Sequence, residues 1–148
     1  MRKYLSYIGI LLVVGAIYAF NNPPVDFEKE NPNGIHFFKG NWEEALAKSK
    51  KEQKPIFLDI YATWCGPCKK LAKYTFADAD VANYYNAKFI NLSLDGEKGL
   101  GLLLANKFQI SGYPALLFIN DKGEIIKQYS GYHTSKQFLK LGNQILAK

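Results

Sequence analysis

Two apolar runs of different kind stand out along this chain. From Tyr4 to Phe20 there are 17 residues without a charge (YLSYIGILLVVGAIYAF), preceded by Arg2 and Lys3 and closed by Asn21, Asn22, Pro23 and Pro24. Ile56 to Ala62 (IFLDIYA) is shorter, and only Asp59 interrupts it. The first run is apolar all round, which makes it a membrane anchor or an export leader; the second has the length of a central strand covered on both faces. Between them, Asn41 with Glu44 three positions on forms a capping-box pattern, and Trp42, Ala45 and Leu46 share one face, so a helix is predicted over about 42–53 until Pro55 breaks it. Lys88 to Leu94 (KFINLSL) is a second strand candidate, bounded by Asp95-Gly96. Ala115–Ile119 and Ile125–Tyr129 flank the turn-rich Asn120-Asp121-Lys122-Gly123 and read as an antiparallel hairpin. Thr134 with Gln137 opens a last helix, whose buried stripe is Phe138, Leu141 and Ile145. With helical stretches following the first two strands, the alternation predicts a mixed α/β sheet with helices on both faces.

The leading run is near the lower limit of what spans a bilayer core, about 20 residues, and longer than the apolar stretch of a signal peptide, about 7 to 15. A small-x-small cleavage site is spoiled by Ile17 two positions before Ala19 and by Phe20 after it. This pattern favours a retained anchor over a cleaved leader. Positive charge before the run holds the N-terminus in the cytoplasm and sends the remainder outward. Residues 21–35 (NNPPVDFEKENPNGI) combine three prolines with four asparagines and show no apolar period, as in an extended tether. The predicted organisation is an anchor or signal over 1–20, a linker over 21–35 and one folded domain over 36–148.

Composition narrows the function. A 48% hydrophobic and 22% charged chain of 148 residues is ordinary for a single globular core and excludes disorder throughout. The net charge of +6 comes from 18 Lys and one Arg against 13 acids, and that Arg is at position 2. Without clustered arginine, nucleic-acid recognition is not indicated. Two cysteines three positions apart cannot staple a small secreted fold, so they point to reactivity or to a metal.

Those cysteines sit in Trp64-Cys65-Gly66-Pro67-Cys68-Lys69-Lys70, where the buried strand ends and a helical stretch begins. With Cys65 at the N-cap, unpaired backbone N–H groups and the positive end of the helix dipole favour its thiolate. Cys68, one turn on, is placed to attack a mixed disulfide formed at Cys65 and release the product. Pro67 in the first turn stiffens the loop at little cost. Half of a zinc site is the competing reading. It lacks a second cysteine pair, and His36 and His133 stand at no ligand spacing, so no metal and no cofactor beyond the cysteine pair is expected. A purely structural bridge over so short a loop would remove little chain entropy.

The WCGPCK string, an acid six positions before the first cysteine (Asp59) and Tyr113-Pro114 before an apolar strand together resemble the thioredoxin superfamily over about residues 37–147. Lys73-Tyr74-Thr75-Phe76-Ala77-Asp78 and Val81 are most similar to the C-terminal periplasmic domain of membrane thiol:disulfide interchange reductases. The resemblance implies a thioredoxin-like fold, with Cys65 as exposed nucleophile and Cys68 as resolving thiol. It implies that Asp59 is a buried proton acceptor for Cys68 and that Pro114 is cis, leaving the Tyr113 backbone to pair with a substrate strand. Trp64, Tyr61, Gly66 and Pro67 would shape the docking surface. Two departures from well-studied members are Tyr61 in place of Trp and Asn91 in place of Lys.

The expected function is thiol:disulfide exchange in the cell envelope, mainly reducing protein disulfides. Its partners would be disulfide-containing clients and a membrane electron-donor protein. The alternatives are a dedicated reductant for cytochrome c maturation and a non-catalytic binding or chaperone module that uses the Tyr113-Pro114 groove.

Overall fold

The computed structural model describes residues 7–8, 10–14, 26–27 and 31–147. Both capping boxes form. The Asn41 side chain accepts from the Glu44 N–H at 2.9 Å, and the Glu44 carboxylate accepts from the Asn41 N–H at 2.9 Å, starting α1 (Trp42–Glu52). Gln53, at φ 54°, ends it in the left-handed conformation. Thr134 and Gln137 make the same reciprocal pair at the start of α5 (Ser135–Leu146). Each box satisfies orphan N–H groups of a first turn, which is why these two starts are readable from residues three apart.

Strand β1 (Ile56–Tyr61) is buried at every position. It lies between β2 (Ile90–Asp95), parallel to it, and β3 (Ala115–Ile119), antiparallel, with β4 (Ile125–Ser130) on the far edge, giving the order β2-β1-β3-β4. Helix α3 (Ala79–Lys88) and α5 cover one face, where Phe57, Phe118, Tyr85 and Phe138 form an aromatic core. Helices α1 and α4 (Gly99–Lys107) cover the other, where Ile56, Leu58, Ile60 and Leu117 meet Trp42 and Leu104. The expected mixed sheet with helices on both faces is present. The second strand starts later than its sequence pattern suggested, because the Phe89 N–H closes a last turn of α3 on Tyr85 O and the Ile90 N–H then bonds to Pro55 O.

Helix α2 (Gly66–Lys70) follows β1 and runs directly into a π-helical turn over Leu71–Thr75, where the Phe76 N–H reaches Leu71 O. The turn sets Leu71 and Phe76 into the aromatic core and brings the Thr75 hydroxyl to His133 O at 2.7 Å. Residues 31–41 pack along the β2 edge: the Ile35 N–H bonds to Phe76 O, the Phe38 N–H bonds to Asn91 O, and Ile35 is buried.

Residues 7–8 and 10–14 are helical, while the rest of the expected anchor lies outside the described residues, as do residues 21–25 and 28–30 of the tether. Among the described residues no helix is long and apolar enough to cross a membrane.

Gly101 seats α4 against the end of β2, since a Cβ there would fall 2.0 Å from Asp95 O. In an open helix, Gly→Ala gains about 1 kcal/mol from propensity. Here the backbone must shift, and overpacking costs about 1 to 3 kcal/mol. Gly101→Ala is therefore expected to destabilise the domain, read as a lower urea midpoint at unchanged slope; an increase in the midpoint would show that the helix moves aside freely.

Candidate active site

Strand β1 ends at Tyr61, and the turn that follows is closed by the Cys65 N–H on Ala62 O at 3.0 Å. Cys65 is the N-cap of α2. Its Sγ accepts from the Cys68 N–H at 3.2 Å, and Pro67 stands in the first turn, where no N–H is needed. Cys65 and Cys68 are joined by a disulfide with an S–S distance of 2.04 Å. Gly66 has no atom within 4 Å of the position a Cβ would take, so the space beside the pair is open there. The resemblance implied an exposed Cys65. In this disulfide form both cysteines are only 2% exposed, packed with Tyr61 and Ala62 and with Phe27 and Tyr113 against the cluster. The Phe27 ring stacks on Tyr61 with centroids 4.1 Å apart.

Asp59 faces the aromatic side of the sheet and is 2% exposed. Its Oδ2 accepts from the Ser93 hydroxyl at 2.8 Å, while Oδ1 accepts no hydrogen bond from the described residues. Burial pushes the carboxyl from 3.8 up to about 7, and the Ser93 hydrogen bond partly opposes that rise. Asn91 is not the residue in register with this acid. Asp59 pairs with Ser93 across the parallel ladder, and Asn91 pairs with Phe57. The Asn91 amide is instead spent on Tyr85 O at 3.2 Å. Register explains the difference: β1 and β2 end together at Tyr61 and Asp95, and counting back two positions on each gives Asp59 and Ser93. That count from Asp95-Gly96 was the signal in the sequence that could have found Ser93.

The Tyr113-Pro114 peptide bond is cis. The Tyr113 ring packs edge-on against Trp64, centroids 6.1 Å apart, and reaches toward the β2–α4 turn, where a Cβ on Gly96 would lie 2.5 Å from its Cε1. Trp64 is 68% exposed, and its indole N–H is shared by the two carboxylate oxygens of Glu97 at 3.0 and 3.1 Å. The fold therefore brings Cys65, Cys68, Tyr61, Trp64 and Tyr113 to one end of the sheet. It adds Ser93, Glu97 and Phe27, which no local motif marked. Among the described residues no group of three His, Cys, Asp or Glu could hold a metal ion.

A mixed α/β domain whose central strand leads into a Cys-x-x-Cys disulfide at a helix start, with a cis-proline before β3, defines a dithiol–disulfide class of site. The thioredoxin-like domain profile matches residues 42–146, and the chain belongs to that family. It is 34% identical over 136 residues to the thiol:disulfide interchange protein DsbD of Salmonella typhimurium, covering 83% of this chain and 23% of that protein. Its identity with the DsbD of Pectobacterium atrosepticum is 26% over 150 residues, 93% of this chain and 26% of the relative. The chain thus spans about a quarter of the length of these relatives. Among solved structures it resembles a candidate disulphide-isomerase from Bacteroides thetaiotaomicron, with TM-score 0.67 and 38% identity over 80% of this chain and 99% of the other.

Proposed function

We propose that this chain is a thiol:disulfide oxidoreductase of the cell envelope that chiefly reduces protein disulfides. The observation that carries the reading is the Cys65–Cys68 disulfide itself, formed at a helix start with a backbone N–H aimed at Cys65 Sγ. In the reduced form the Cys65 thiolate attacks one sulfur of a client disulfide. A Cys65–client bond forms, the client S–S bond breaks, and the displaced client thiolate takes a proton from solvent. Cys68 then gives its proton to Asp59 and attacks Cys65 Sγ, so the Cys65–Cys68 bond forms and the second client thiol leaves, protonated from Asp59 or water. Two electrons pass from the enzyme dithiol to the client disulfide.

A carboxyl that titrates at about 7 exchanges protons readily at neutral pH, which suits Asp59 to this role. An extended client segment would lie along Tyr113-Pro114, with Trp64, Gly66 and Pro67 around the entering sulfur. Restoring the dithiol needs a membrane electron-donor protein that presents its own dithiol. Arg2 and Lys3 before the uncharged 17-residue run support an anchored domain facing away from the cytoplasm.

The test joins two measurements on the full chain. Equilibration with glutathione is expected to give a potential nearer the thioredoxin value of about −270 mV than the about −120 mV of a strong periplasmic oxidant. Cys68→Ala, which keeps the nucleophile and removes the resolving thiol, is expected to accumulate mixed disulfides with client proteins in cells. A potential at the oxidising end, or a variant that captures nothing at Cys65, would overturn the reductant assignment.

A further inference from the structure

A residue outside the matched family domain packs against the cluster that contains the reactive pair. That domain spans residues 42–146, and Phe27 precedes it. The Phe27 ring lies nearly parallel to Tyr61, with centroids 4.1 Å apart and planes 14° from parallel. It packs against the cluster of Tyr61, Ala62, Cys65 and Cys68. It also forms part of the wall of a cavity of about 280 Å³ that includes Tyr61, Ser93 and Lys98. Trp64, by contrast, is turned to solvent and bound to Glu97. The ring face of Tyr61, in the cluster that holds the disulfide, is therefore already occupied by an aromatic side chain of the chain itself.

A client segment lying along Tyr113-Pro114 would run beside this cluster, against which Tyr113 also packs. We propose that Tyr61 and the flank of the Cys65–Cys68 pair form a seat for an aromatic side chain of a client. Phe27 occupies that seat in the resting disulfide form, so Phe27 seating and client docking exclude each other. The inference rests on the exchange function proposed above and adds the kind of segment that site takes: an extended apolar stretch with an aromatic residue beside its cysteine. A parallel stack uses the ring face of Tyr61, which an aliphatic side chain matches in area but not in geometry. Aromatic pairing of this kind shifts an equilibrium by about 2- to 12-fold beyond area burial. A self-docked ring lowers the apparent affinity of a competitor by the fraction of molecules in which the seat is free.

The test measures binding to the oxidised full chain in detergent micelles by calorimetry. Two short extended peptides are used, each with Ser in place of the client cysteine, and with Phe or Ala as its neighbour. In the wild-type chain the two affinities are expected to differ by less than about 2-fold, because every contact the Phe peptide gains displaces Phe27. Phe27→Ala is expected to raise the preference for the Phe peptide to about 3- to 10-fold, and adding Tyr61→Leu, which keeps apolar bulk, to return it to near unity. A preference that Phe27→Ala leaves unchanged overturns the inference, as does one that survives Tyr61→Leu. On the unaltered sequence, a fluorine-labelled Phe27 ring is expected to shift to a solvent-exposed resonance on addition of the Phe peptide but not the Ala peptide; no shift with either overturns the inference without any variant. Serine peptides undergo no exchange, so the two readings fail separately. Absence of the preference in Phe27→Ala while dithiothreitol still reduces Cys65–Cys68 and the dithiol still turns over a client disulfide sinks the aromatic seat alone. An intact preference in a chain that exchanges no disulfide sinks the proposed function alone.

Discussion

Serine in place of Cys65 is expected to lower disulfide reduction by the full chain by a factor on the order of 10³ or more, measured as turnover of an insulin disulfide with dithiothreitol as donor. The size of the effect follows from what the fold does to this one sulfur. A hydroxyl at the same place has no accessible anion near neutral pH, whereas the Cys65 sulfur already accepts a backbone N–H from Cys68 at 3.2 Å and caps the helix. That donor and the dipole stabilise negative charge on the atom that must carry it. In the reduced protein, Cys65 alkylation by iodoacetamide is therefore expected to titrate below the ordinary thiol value of about 8.5. Cys68 is equally buried, and the N–H at this helix start is directed at Cys65 Sγ, so Cys68 is expected to titrate above Cys65. A Cys65 midpoint at or above the ordinary value would remove the physical basis of the nucleophile assignment, and full activity of Cys65→Ser would favour a binding module.

Asparagine in place of Asp59 is expected to have two large and opposite effects. The folded-state carboxyl is raised from 3.8 to about 7 by burial, with the Ser93 hydrogen bond working the other way. Between about pH 4 and 7 the folded chain thus holds a proton that the unfolded chain has released, and stability falls as pH rises through that window. Below about pH 4 both states are protonated and the penalty is absent; above pH 7 it is complete. Roughly three pH units correspond to a penalty on the order of 4 kcal/mol at pH 8.

Asp59→Asn removes the ionisation but leaves a buried amide short of partners. A net gain of about 2 kcal/mol at pH 8 is expected, a rise in Tm of roughly 5 to 8 °C, with almost no change at pH 4. Thermal unfolding at the two pH values checks the sign, and a destabilised variant at pH 8 would contradict it. Activity should move the other way. Loss of the proton acceptor is expected to slow release of the mixed disulfide by about 10²-fold. Ser93→Ala, which keeps the acid and removes a hydrogen bond to its charged form, is expected to shift the alkaline-rising limb of the rate profile up by about one pH unit. An unshifted limb would mean that Ser93 does not tune this acid.

The features legible along the chain and those that were not divide by distance. Asn41 with Glu44, Thr134 with Gln137, and Cys65 with Cys68 are partners three positions apart. Their geometry is set within one helical turn, so residue type and spacing suffice to place them. The turn-rich Asn120–Gly123 marked the hairpin for the same reason: Asn120 Oδ1 accepts from the Lys122 N–H, and the Asn120 N–H closes on Glu124 O within the same few residues. The continuous burial of Ile56–Tyr61 followed from its apolar pattern, interrupted only at Asp59.

By itself, then, the chain sequence determined the order of elements, the central strand and the position of the reactive pair at a helix start, because each depends on neighbours a few residues away. Only the tertiary structure decided what surrounds that pair. Ser93 meets Asp59 across 34 positions, and Glu97 meets Trp64 across 33. Phe27 packs against the cluster that holds the disulfide from beyond the family domain. The π-helical turn that seats Phe76 likewise answers to the core around it and to His133 O, which the Thr75 hydroxyl reaches across 58 positions. Such contacts depend on strand register and on how packed layers close, and a one-residue slip would replace every partner without altering any local pattern.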